Sequence, residues 1–159
     1  EISINTKLRI FNSNVKSVLL YGSKTWRETK NIHRKLQTFF NTCLRKIFKI
    51  RWPEKIRNDD LWERAGQEPL ANQILRRKWK WIGHTLRKPA NSVTRQALTW
   101  NPQGKRKVGR PRNSWKRSTE AEMKKQWRNW SEVARVAQNR VRWRGAVDGL
   151  CSALSYGPK

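Results

Sequence analysis

The sequence predicts an all-α protein of about six to seven helices, with an extended basic Gly/Pro loop between the later ones. Apolar residues recur at three- and four-residue spacing through most of the chain, and no segment alternates long enough to make a strand. No fixed-period repeat is present. Length suggests one domain or two small ones.

The elements follow in order. Leu8, Phe11, Val15, Val18 and Leu19 fall at helical spacing, with Gly22 as a stop. Ile32, Leu36, Phe39, Phe40, Cys43, Leu44, Ile47 and Phe48 then form one apolar stripe, backed by Lys30, Arg34, Lys35, Arg45, Lys46 and Lys49. Trp52-Pro53 is expected to end that helix, because a residue before proline is disfavoured in the α region. Asn58 is a candidate cap for a short helix to Ala65, with Asp59 and Asp60 at its positive end and Gly66 as its C-terminal cap. Pro69 suits the first turn of the next helix, whose buried face is marked by Leu75, Trp79, Ile82 and Leu86 and which Lys88-Pro89 closes. A short segment runs to Trp100, and residues 101–113, rich in Pro, Gly, Lys and Arg, read as an exposed loop. Ser114 can cap a helix through Trp127, and Ser131 a last one carrying Val133, Ala137, Val141 and Val147.

Charge is the strongest functional signal. The chain carries 37 Lys and Arg against 11 Asp and Glu, a formal charge of +26. Residues 69–119 hold fourteen of those cations and four Trp without one carboxylate. Such an excess needs a polyanionic partner, and nucleic acid is the first choice. A membrane surface is the weaker one: no apolar run approaches ~18 residues, and the cations are spread along the chain rather than beside an anchor.

Leu, Ile, Val and Phe total only 33 of 159 residues, near the composition at which highly charged chains stop folding. Ten Trp compensate, since each buries ~150–250 Å². The expectation is a folded but marginal chain completed by a neighbour. It reads as a fragment: it opens on Glu1, its single Met is Met123, and no signal peptide is present. Cys43 and Cys151 are far apart and read as free thiols of a reducing compartment; with His33 and His84 they lack zinc-ligand spacing.

Three segments carry candidate chemistry. In Trp79-Lys80-Trp81-Ile82-Gly83-His84-Thr85-Leu86-Arg87-Lys88, Trp81 can stack a base and His84 touch phosphate or ribose, with Lys78, Lys80, Arg87 and Lys88 projecting away from the apolar face. The plainer reading makes both Trp core anchors and His84 a satisfied, partly buried imidazole. In residues 104–112, Gly109-Arg110-Pro111 flanked by cations resembles an AT-hook core, although Val108 stands where that motif has Arg. A generic phosphate-gripping loop is the better reading, a nuclear-import signal and hence a nuclear location are compatible with it, and a merely solvated charge run is the bland alternative. Asp59-Asp60 is the single adjacent carboxylate pair, and its helix-terminal setting argues for electrostatics rather than a Mg²⁺ site. No phosphate-binding Gly loop or hydrolase motif is present, Cys43 lies on the apolar stripe, and no small-molecule substrate or cofactor is indicated. The preferred nucleic-acid contacts are Arg76, Arg77, Lys80, Arg87 and Lys88 on the helix, and Lys105, Arg106, Lys107, Arg110 and Arg112 in the loop.

Four ordered segments carry a resemblance. Val18-Leu19-Leu20-Tyr21-Gly22-Ser23-Lys24-Thr25-Trp26 resembles the segment just after the palm of LINE-type (non-LTR) retrotransposon reverse transcriptases. Residues 79–88, 98–117 and 137–152 are similar, in the same order, to the carboxyl-terminal region of RTE-like members. The resemblance implies a thumb-like helical segment over residues 1–66 and a carboxyl-terminal unit over residues 67–159. Together they would grip template RNA or target DNA for an RNA-directed DNA polymerase whose full form carries an endonuclease. It implies that Mg²⁺ binds a palm lying outside this sequence, a partner for the chain, so that the chain on its own is not an enzyme. The alternatives are a piece of a longer active endonuclease–reverse transcriptase, or a decayed relic without selected activity.

Overall fold

The computed structural model describes residues 2–100, 109 and 114–155, the side chains of 154 and 155 excepted. Every regular element among them is helical. They form two compact units, one from Glu1–Ser23 and Thr29–Ile74, the other from Lys24–Glu28 and Leu75–Lys159.

In the first unit, α1 (Ile4–Ile10) passes through a π-helical turn (Phe11–Val15) into α2 (Lys16–Leu19). Ser3 caps α1 by accepting the Thr6 N–H, and Gly22 (φ 66°) turns the chain after α2 as expected. α3 (Lys30–Ile47) is capped by Thr29, and of its apolar stripe Phe40 and Leu44 are fully buried while Ile32 and Phe39 stay exposed. α3 ends well before Trp52-Pro53. Lys49 takes a left-handed conformation (φ 59°), and the N–H groups of Lys49 and Ile50 bond back to the carbonyls of Lys46 and Arg45. This is a Schellman motif with lysine in the seat usually held by glycine, and buried Ile50 supplies its apolar contact.

α4 (Asn58–Arg64) ends on the cap expected at Gly66, in the same motif. Its N-cap is Arg57 rather than Asn58, whose side chain instead accepts from Arg45 (2.7 Å). Phe11 meets Phe40 at 5.6 Å, and Leu61, Leu70 and Ile74 close the core. A polar chain crosses it: Leu70 N–H donates to Gln37 Oε1 (2.8 Å), Gln37 Nε2 to Asn41 Oδ1 (2.8 Å), and Trp62 Nε1 to the same oxygen (2.8 Å). It supplies a partner to the first N–H of the next helix, which would otherwise go unpaired.

The second unit contains the rest of α5 (Leu70–Leu86), then α6 (Val93–Thr99), α7 (Trp115–Met123), α8 (Trp130–Gln138) and α9 (Arg140–Ser155). Ser114 caps α7 as expected, but the helix ends at Met123. The single last helix expected from Ser131 is two. Asn129 caps α8, with Glu132 reaching back to the Arg128 N–H, and Asn139 starts α9 by accepting from Val141 and Arg142 (3.0 Å each). Each cap satisfies helix-end N–H groups that nothing else pairs.

Candidate nucleic-acid interface

The platform for the basic residues is a tryptophan core. Leu75, Trp79, Ile82 and Leu86 are all buried, as their spacing predicts. Trp79 is fully enclosed, with Trp127, Trp143 and Trp130 at ring-centroid distances of 5.1, 6.2 and 6.5 Å. Trp127 and Trp143 stack at 5.6 Å and 14°. At about 25 cal/mol per Å², each buried indole contributes roughly 4–6 kcal/mol of gross transfer free energy, which offsets the thin aliphatic supply. Trp81 is half-buried and meets Trp115 edge-on at 6.1 Å, so it too packs on this core. His84, expected to be partly buried, is exposed. Gly83 has a packing reason: the Trp143 indole occupies the space where a Cβ would project.

Lys78 corrects the expectation that it projects outward. It is fully buried and donates to Glu28 (2.7 Å) and to Glu122 (2.7 Å), whose second oxygen accepts from Trp79 Nε1 (2.9 Å). Burial raises the Glu122 pKa despite Lys78 and Trp79, because one cation serves two carboxylates in a desolvated site. Glu28 thereby ties Lys24–Glu28 to this unit, and Trp115 Nε1 adds a bond to the Lys24 carbonyl (2.9 Å).

The predicted contacts differ in availability. Lys80 and Arg77 are exposed. Arg76 is half-buried and ion-paired with Asp148. Lys88 reaches Thr94 Oγ1 (3.1 Å). Arg87 donates to the Ala137 carbonyl (2.9 Å), and its pKa is lowered by burial and then by the neighbouring Arg140 charge. Lys105, Arg106, Lys107, Arg110 and Arg112 lie outside the described residues.

Arg140 was missed in the sequence. Its signal was Asn139 starting a helix whose first turn carries Arg140 and Arg142. Most of the carboxylates of this unit are engaged within it. Glu28 and Glu122 serve Lys78, Asp148 serves Arg76, and Glu132 caps a helix. Among the described residues no group of three or more His, Cys, Asp or Glu is placed to hold a metal ion. No helix among them is long and apolar enough to cross a membrane.

A family model described as a domain of unknown function (DUF6451) matches residues 1–21, a stretch that contains none of the ten predicted contacts. No curated protein and no solved structure matches the chain.

Proposed function

We propose that this chain is a non-catalytic nucleic-acid grip, holding RNA or DNA by Lys and Arg contacts to phosphate. The observation that carries this reading is the fate of the charges in the second unit. Over Lys24–Glu28 and Leu75–Lys159 the sequence has 24 Lys and Arg against five carboxylates, and four of those five are engaged within the fold. Arg87 and Arg140 support it further: their like charges lie close enough to repel, and a phosphate between them would relieve that repulsion. The ordered resemblance to LINE-type reverse transcriptases supports a role as the template or target grip of such a polymerase. The chemistry would then belong to a palm outside this sequence.

Salt dependence tests the reading. If about six phosphates are engaged, log K falls against log[salt] with a slope of roughly −4 to −5. A flat response, measured by fluorescence anisotropy on a labelled duplex and on single-stranded RNA, refutes it. Arg110→Ala with Arg112→Ala should weaken all sequences about equally, whereas a loss confined to A·T-rich duplex would make the loop an AT-hook.

A further inference from the structure

The first unit carries a second basic feature, apart from the ten contacts predicted from the sequence. Lys7 of α1, Lys46 and Ile47 of α3, and Lys49 and Arg51 beyond it line one recess of about 690 Å³. Four of its five lining residues are cations and none is a carboxylate.

The left-handed turn at Lys49 creates this arrangement. By reversing the chain just after α3, it leaves Arg51 lining the same recess as Lys46. Cations at a helix C-terminus also complement the helix dipole, which accounts for Lys46 but not for Lys7, which comes from another helix. Next along the chain stands Trp52, 80% exposed, with Lys55 Nζ 5.2 Å from its ring centroid. An indole this exposed adds nothing to the core, and one that directly follows a residue lining a cationic recess matches the stacking platform of single-strand binders.

Resting on the nucleic-acid reading above, we infer that this recess is a separate site for unpaired nucleotides. The sugar-phosphate backbone is held by Lys7, Lys46, Lys49 and Arg51, and a base stacks on Trp52. Duplex offers the phosphates but no free base face, so the site favours single strands. The first unit therefore contributes its own strand contact, independent of α5 and the basic loop.

The test uses the full chain with a labelled 20-nucleotide oligothymidylate and a 20-base-pair duplex. The combined Lys7→Ala, Lys46→Ala, Lys49→Gly variant should bind the oligothymidylate at least about tenfold more weakly, and its salt slope should shrink by about 2. Trp52→Ala should lose about tenfold on the oligothymidylate and little on the duplex. Far-ultraviolet circular dichroism checks that the helices persist. If the parent binds with a steep salt slope and the triple variant matches it, the recess is not a site and the grip belongs to the second unit alone. Equal losses on strand and duplex for Trp52→Ala overturn the stacking role. A parent that binds neither probe at low salt overturns this inference and the function on which it rests together.

Discussion

Replacing Gly83 by alanine sets two physical effects against each other. Glycine inside a helix is worse than alanine by about 1 kcal/mol, so propensity by itself makes Gly83→Ala stabilising. The structure gives the opposite sign. The added methyl would overlap Nε1, Cε2 and Cδ1 of Trp143. That indole cannot yield freely, being 3% exposed, stacked on Trp127 and against Trp79. Strain in a packed core costs about 1–3 kcal/mol, and expelling the ring would approach the ~3–5 kcal/mol of a Trp truncation. Less the propensity gain, the net loss is up to about 2 kcal/mol if the core strains and about 2–4 kcal/mol if the ring is expelled. Gly145→Ala is the matched control, since a Cβ there meets nothing within 4 Å, and it should gain about 0.5–1 kcal/mol. Urea unfolding followed by tryptophan fluorescence measures both. In a Trp143→Ala background the cost of Gly83→Ala should vanish. A Gly83→Ala protein as stable as the parent would refute the packing argument.

Other perturbations address the buried polar groups. Lys78→Met leaves Glu28 and Glu122 together without their cation and should cost about 3–5 kcal/mol, most of it recovered when both glutamates are also made Gln; a loss under ~1 kcal/mol would show the triad to be solvated. Burial raises Glu122 above its ordinary 4.5, so the folded state binds that proton more tightly. Stability should then decline as pH rises from 4.5 through the raised value and level off above it. Thermal melts of Glu122→Gln across the same window should lack that component, and an unchanged pH profile would assign the dependence elsewhere. Asn41→Leu deprives the Trp62 indole and the Gln37 amide of their shared acceptor, for a loss of about 1–3 kcal/mol in denaturant melts.

What was legible in the sequence depended on interactions close along the chain. Helical spacing identified α3 and the buried face of α5, and cap chemistry placed Gly66 and Ser114. Both are read within one or two helical turns, where the chain is its own context. The end of α3 was missed because lysine rarely takes a left-handed conformation, and what holds it there is Ile50 buried in the core. The break between α8 and α9 was missed because Asn139 interrupts a stripe whose apolar spacing continues on either side.

By itself, the sequence determined the helical class and the excess positive charge, because composition and periodicity need no knowledge of distant contacts. Only the tertiary structure decided which cations are available. Lys78 and Lys80 are two residues apart, yet one is enclosed by Glu28 and Glu122 and the other is exposed. The partners of Lys78 lie 50 and 44 residues away, and no local pattern encodes a pairing at that separation. The same holds for the recess at Lys7 and Lys46, where two helices and a left-handed turn gather charges that the sequence shows only as scattered.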